Sequence, residues 1–240
     1  MNINLSLKSV SFRKLTFLML FTLIALVALK INFSQVMVVM GSTAQYFTFF
    51  EFFGPIAGAF LGPVAGVASV LFAKLVDFFV TGKAIEPVNI LRLLPMLFAA
   101  VYFAVFLKKG YLAKASVAVP VACMVLFWLQ PIGREAWYYA LFWAIPIIAK
   151  VFSKKLFLRS LGATFTAHAI GSVVWVWSFP TTAQYWTNLI PITTTERVLF
   201  ALGISVSFIA FNNVLAFIEA KAKTGVLSTE KNYLFGKALQ

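Results

Sequence analysis

Charged residues divide this sequence into a series of apolar stretches, and their spacing constrains the fold more than any other feature. A helix needs about 20 mostly apolar residues to cross a bilayer, and the charges recur at about that interval. Only 11% of the residues are charged and 62% are hydrophobic, whereas a soluble domain carries about 25% charged residues. The sequence therefore predicts a single all-α integral membrane domain over residues 1–240 and excludes a soluble globular protein.

The apolar stretches predict eight candidate helices, of which the shorter ones need not cross completely. They are Lys14–Leu29, Thr43–Leu61, Val64–Val80, Asn89–Leu107, Ala115–Leu129, Glu135–Ala149, Leu156–Trp177 and Glu196–Ala220. The expected fold is therefore a polytopic membrane helix bundle with six to eight transmembrane helices.

The basic residues predict the orientation of these helices. With a cytoplasmic N-terminus and eight alternating spans, fourteen of the twenty Lys and Arg residues fall inside and five outside, with Lys74 within a span. Because inner loops carry an excess of Lys and Arg, we expect both termini in the cytoplasm of a multi-pass protein of the cell membrane. The basic residues lie at helix ends and form no continuous face, so no nucleic-acid partner is expected.

The expected outer loops differ from the short, lysine-rich inner ones. Ile31–Ser42 and Phe179–Thr195 are long and weakly polar, as suits loops that cover an outward-opening pocket. In an alternative interpretation, the aromatic residues near the second loop form an interfacial belt; they are Trp175, Trp177, Tyr185 and Trp186.

Glycine recurs at every fourth residue from Gly54 to Gly66, and the pattern Gly-Pro-apolar-Ala-Gly occurs twice within this segment. Small residues let helix backbones approach closely in lipid, and Pro63 suits the first turn of a new helix. The pattern predicts two closely packed helices with a break at Gly62. A single kinked helix is the alternative interpretation.

Ionisable residues at membrane depth are candidates for function, since each costs about 2.5–3.5 kcal/mol at the centre of a span. Glu51, Lys74, Asp77 and His168 occupy such positions, and Arg92 and Arg197 lie at the expected outer rim. Lys74 and Asp77 are three residues apart, which predicts an ion pair on one helix face.

Other polar residues have structural interpretations. Thr193 and Glu196 have the spacing of a capping box at the start of the last helix, and Asn212 and Asn213 are expected to join helices by hydrogen bonds. The sequence has no phosphate-binding loop of the Walker type and no H-E-x-x-H or G-x-S-x-G motif. One His and one Cys exclude a structural zinc cluster. We therefore expect no catalytic residues, no metal and no cofactor, and a chain that is not an enzyme.

The run from Phe52 to Gly66 that leads into Lys74-Leu-Val-Asp77, with Glu196-Arg197 opening the last helix, resembles the substrate-binding S components of energy-coupling factor (ECF) transporters. The resemblance covers about the first 80 and the last 80 residues. It implies a membrane subunit that binds a vitamin-like or other small metabolite for uptake, together with a transmembrane coupling subunit and two cytoplasmic ATPases. Family members usually have six helices, two fewer than the candidates counted here.

The pocket implied by the resemblance lies near the outer side, beneath the outer loops and close to membrane lipid. Together with the ionisable residues at membrane depth, it gives eight expected substrate-binding residues: Glu51, Lys74, Asp77, Arg92, His168, Trp175, Trp186 and Arg197. Two alternatives stay open. One is a membrane-embedded enzyme that uses Glu51, Asp77 and His168 as acid or base groups on a lipid-like substrate; the other is a structural subunit of a membrane complex.

Overall fold

The computed structural model describes residues 3–32, 47–152, 154–222 and 229–235, and these ranges are helical, with a single β-bridge between Asn32 and Thr48. The α-helices are α1 Ile3–Lys30, α2 Phe50–Phe53, α3 Ala57–Leu61, α4 Pro63–Val80, α5 Pro87–Leu91, α6 Leu94–Val105, α7 Tyr111–Leu129, α8 Pro131–Glu135, α9 Ala144–Phe152, α10 Leu156–Ser178 and α11 Ala183–Ala222. Short 3₁₀ segments cover Gly54–Ile56, Trp137–Trp143 and Lys231–Tyr233. The predicted all-α class is confirmed for the described residues.

Four helical stretches are long and apolar enough to cross a membrane, namely Pro63–Val80, Pro87–Val105, Tyr111–Leu129 and Ala183–Lys221. Shorter apolar helices cover Leu18–Lys30, Phe50–Leu61 and Trp137–Phe152. Large apolar side chains are exposed on several helices, including Met19, Phe72 and Val206. An apolar exterior of this kind is expected of helices that meet lipid. Of the expected outer loop Ile31–Ser42, residues 33–42 lie outside the described residues.

Helix α10 lies at the centre of the bundle and packs against α6, α7, α9 and α11. It is not among the four stretches that are long and apolar enough to cross a membrane, because its residues include polar ones such as Ser160, Thr164 and Ser172, which are buried. Gly162 lies directly against the ring of Tyr102 on α6. Small and hydroxyl-bearing residues of this kind let neighbouring helices approach closely, so α10 meets protein on most sides.

The glycine-rich segment serves close packing inside the bundle. Gly62 separates α3 from α4 and has a φ of +83°, a conformation that glycine adopts without steric cost. The two helices then pack against each other, such that a Cβ on Gly66 would lie 2.5 Å from the Cα of Gly58. On its other side, Gly58 faces Ala100 and Ala104 of α6. The predicted break and close approach are both present.

The C-terminal segment 229–235 is held at the end of the bundle where α10 begins. The Arg159 guanidinium, only 4% exposed, donates to the Glu230 carboxylate at 2.6 Å. The side-chain amide of Asn212 donates to the carbonyl of Glu230 at 2.9 Å and accepts from its N–H at 2.8 Å. Asn213 bonds the backbone of Tyr233 and Phe235 in the same way. The two asparagines therefore join α11 to the C-terminal segment with its 3₁₀ turn, and not to another of the long helices.

Candidate functional site

A cavity of about 590 Å³ lies between α4, α6, α10 and α11, close to the end of the bundle at which α4 ends and α11 begins. We call this end the cavity end. Residues of α2, α5 and the 3₁₀ segment Trp137–Trp143 complete the wall. The lining includes all eight residues expected at a substrate site, namely Glu51, Lys74, Asp77, Arg92, His168, Trp175, Trp186 and Arg197. The fold thus gathers these side chains around one space, and their role in binding stays a prediction.

Asp77 is the centre of an ion cluster at the end of α4. Its Oδ1 accepts a hydrogen bond from Lys30 Nζ at 2.9 Å, and its Oδ2 accepts one from Lys83 Nζ at 3.0 Å. Lys83 reaches the carboxylate because the chain reverses at Gly82, where φ is +63°. The predicted ion pair between Lys74 and Asp77 is therefore wrong. Asp77 lies in the last turn of α4, where long lysine side chains from α1 and from the following loop reach it.

The last helix begins earlier than the sequence suggested. It begins at Ala183, and Thr182 caps it by accepting a hydrogen bond from the N–H of Tyr185 at 3.2 Å. The capping box predicted from Thr193 and Glu196 is wrong, because both residues lie well inside α11. Helix also replaces most of the long outer loop predicted before them, so that only residues 179–182 connect α10 to α11.

Arg197 is a buried cation in the cavity wall, with only 5% of its surface exposed. Its Nη1 donates to Thr164 Oγ1 at 3.3 Å and its Nη2 donates to Glu196 Oε2 at 3.2 Å. The guanidinium carbon lies 4.6 Å from the ring centre of Phe200. Its Nε has no hydrogen-bond partner among the described residues. An unbonded buried donor costs about 1–3 kcal/mol, so this N–H is a candidate ligand contact.

His168 is anchored in the cavity wall by a chain of hydrogen bonds. Its Nε2 lies 2.9 Å from the hydroxyl of Tyr139, which in turn lies 2.8 Å from Thr193 Oγ1. Ser172 Oγ is 3.4 Å from the same ring nitrogen. Tyr139 and Thr193 were missed as site residues. Thr193 was assigned to a helix cap, and no spacing in the sequence distinguishes Tyr139 from the aromatic residues beside it.

Lys74 and Arg92 contact aromatic rings at the cavity. Lys74 Nζ lies 5.7 Å from the ring centre of Phe50, and the guanidinium carbon of Arg92 lies 5.7 Å from that of Trp175, within the range of cation–π attraction. Within the described part of the chain, neither cation forms an ion pair. Glu51, on α2, completes the set of lining charges expected from the sequence.

The tryptophans at the cavity end have different environments. Trp186 is only 2% exposed and meets Phe127 and Tyr139 edge to face, with ring centres 5.0 Å apart in both cases. It therefore does not belong to an interfacial belt. Trp177 is 57% exposed and has the exposure expected of a belt residue. Trp175 is partly buried and lies next to the cavity.

Several polar groups of the site are paired within the protein. Two of its carboxylates, Asp77 and Glu196, are ion-paired, and its one imidazole is hydrogen-bonded within the protein. Among the described residues, no three His, Cys, Asp or Glu side chains group together as a metal site would require.

Comparison with known proteins identifies one distant relative. An uncharacterised protein of Methanocaldococcus jannaschii is 25% identical over 224 residues, which cover 82% of this chain and 74% of that protein. No protein-family model matches the chain, and comparison with solved structures found no match.

Proposed function

We propose that this chain is a multi-pass protein of the cell membrane that binds a vitamin-like or other small metabolite for uptake. The observation that carries the proposal is the gathering of eight ionisable and aromatic residues, from helices far apart in sequence, around one cavity. Its volume of about 590 Å³ lies within the range of about 300–1,000 Å³ found for small-molecule sites. Ionisable groups at membrane depth are most often functional.

In the proposed topology, six to eight helices cross the membrane, both termini are cytoplasmic and the cavity end faces outward. The connections at residues 106–110 and 154–155 lie at the opposite end and carry Lys108, Lys109, Lys154 and Lys155. Lysine-rich connections of this kind favour the cytoplasmic side.

The proposed energy source is a partner. The chain has no ATP-binding loop of the Walker type, and its pattern of small residues resembles S components of ECF transporters. In this proposal, uptake uses the partners that the resemblance implies, a transmembrane coupling subunit and two cytoplasmic ATPases. Affinity purification of the tagged chain from its native membrane, followed by mass spectrometry, is expected to recover these subunits.

Ligand binding by the purified chain tests the proposal directly. The protein, in phosphatidylcholine nanodiscs, is incubated with pools of water-soluble metabolites, and thermal stability and tryptophan fluorescence are measured. We expect saturable binding, with the ligand recovered unchanged by mass spectrometry. Recovery of a chemically altered product would favour a membrane-embedded enzyme. Stability only alongside partner proteins, with no response to any metabolite, would favour a structural subunit.

A further inference from the structure

We infer that the ligand of the cavity is a small organic anion with a planar apolar part. The inference rests on the proposed binding function and adds the class of substrate. It begins from the lining charges, which are four cations and three carboxylates: Lys74, Lys83, Arg92 and Arg197 against Glu51, Asp77 and Glu196.

Pairing within the protein leaves the cavity positive. Asp77 is shared between Lys83 and a further cation, Lys30, so that this cluster carries one positive charge in excess. Glu196 and Arg197 neutralise each other. Lys74 and Arg92 then face Glu51 as the last lining carboxylate, which leaves a second positive charge without compensation.

The rest of the chain supplies no further side-chain carboxylate to the cavity. The sequence has seven Asp and Glu residues, and all seven lie within the described ranges. Residues 33–46, which precede the α2 segment of the wall, contain no acidic side chain. The four carboxylates beyond the lining are Glu86, Glu135, Glu219 and Glu230. No further side-chain carboxylate of this chain is available to the cavity, so an anionic ligand would find cations there that the protein's own carboxylates do not neutralise.

Unused hydrogen-bond donors in the cavity also favour an anionic ligand. Among the described residues, Arg197 Nε is a buried donor without an acceptor, and Lys74 and Arg92 contact ring faces without forming an ion pair. All three are donors only. A carboxylate or phosphate offers the acceptor oxygens that such groups lack, and charge-assisted hydrogen bonds are about twice as strong as neutral ones.

The aromatic lining accounts for the apolar part of the ligand. Trp175 and Tyr185 are partly buried and line the cavity; the Trp175 ring packs against Phe179 and lies beneath Arg92, and the exposed edges of such rings give apolar contact to a planar group. A cavity of about 590 Å³ is far larger than an inorganic ion requires, since a single water occupies about 30 Å³ in the liquid.

The test uses the full chain in nanodiscs and metabolites sorted by charge. Anionic, neutral and cationic pools are compared by thermal shift, with 2-naphthoate and its neutral amide, 2-naphthamide, as a matched pair of probes in titration calorimetry. We expect the anionic pool to stabilise the protein and 2-naphthoate to bind more tightly than the amide. Arg92→Gln changes an exposed residue and is expected to weaken anion binding about tenfold or more. Lys109→Gln, at the opposite end, is the control and should bind as the wild type does.

The outcomes separate the substrate class from the binding function. Stabilisation by neutral or cationic metabolites alone would leave the proposed binding function intact but would contradict the inference that the ligand is an anion. Equal anion binding by Arg92→Gln and Lys109→Gln would also overturn it. No response to any pool would overturn both proposals. The exception is a protein that responds to no metabolite but is more stable in phosphatidylglycerol nanodiscs than in phosphatidylcholine nanodiscs. The bound anion is then a lipid headgroup, a result that supports the charge argument and contradicts metabolite uptake.

Discussion

Replacing Gly58 by alanine tests the packing of the glycine-rich segment. The added Cβ would lie 2.7 Å from the Cβ of Ala104 and closer still to the backbone oxygen of Ala100, whereas ordinary contact begins at 3.4 Å. Helix α3 would have to move by about 0.7 Å or more, against Gly66 on its other side. Overpacking of this kind costs about 1–3 kcal/mol, while alanine in a helix recovers about 1 kcal/mol relative to glycine. We expect the free energy of unfolding to fall by up to about 2 kcal/mol.

The measurement is equilibrium unfolding by sodium dodecyl sulfate in mixed micelles, followed by circular dichroism. Gly171→Ala is the matched control, because Gly171 is also helical but has no atom within 4 Å of its ideal Cβ among the described residues. It should leave stability unchanged or raise it by up to about 1 kcal/mol. If the Gly58 and Gly171 variants have the same stability, the close-packing argument is refuted.

Three further substitutions test the polar contacts. Glu230→Gln should lower the free energy of unfolding by about 2–3 kcal/mol, because it leaves buried Arg159 without its carboxylate. Breaking a fully buried ion pair costs about 3–5 kcal/mol, and the smaller value is expected because Glu230 is 30% exposed. Asp77→Asn should cost at most about 2 kcal/mol, since its two lysine partners are half exposed and each such pair contributes about 0–1 kcal/mol. Tyr139→Phe should cost about 1–3 kcal/mol, because it removes the hydroxyl that holds His168. The same unfolding assay measures all three.

Controls for these substitutions lie on exposed positions. Glu135→Gln and Tyr111→Phe remove the same chemical groups from exposed side chains, and both are expected to change stability by less than about 0.5 kcal/mol. A Glu230 variant as stable as the Glu135 variant would show that the ion pair between Arg159 and Glu230 contributes nothing to stability. A Tyr139 variant that matches the Tyr111 variant would contradict the anchoring of His168. A loss well above 2 kcal/mol for Asp77→Asn would show that its ion cluster is more buried than the described exposures indicate.

Local chemistry made much of the architecture predictable. The break at Gly62 follows from two residues whose backbone preferences act within one turn. The residues around the cavity were also recognisable in sequence, because an ionisable group in an apolar stretch is costly wherever the bundle places it. That argument selects Lys74 or His168 without any knowledge of their neighbours.

Partners could not be predicted in this way. Asp77 was expected to pair one turn away along its own helix, yet it binds lysines from α1 and from the loop after α4. The polar and aromatic residues before Glu196 predict a loop with the last helix beginning at Glu196, whereas the helix begins at Ala183. Nothing in the sequence distinguishes Tyr139 from the aromatic residues beside it. Its place in the site depends on a hydrogen bond to Thr193, which lies 54 residues away in sequence.

Local sequence rules were enough to indicate a helical chain with apolar stretches of membrane-spanning length, a backbone break at Gly62 and a few ionisable residues whose burial is costly. The three-dimensional packing was needed to see that α10 is central, which charges neutralise each other and which are left facing the cavity. The difference arises because backbone preference and burial cost act on each residue separately. An ion pair or a close helix contact instead depends on two segments that are brought together only when the whole bundle packs.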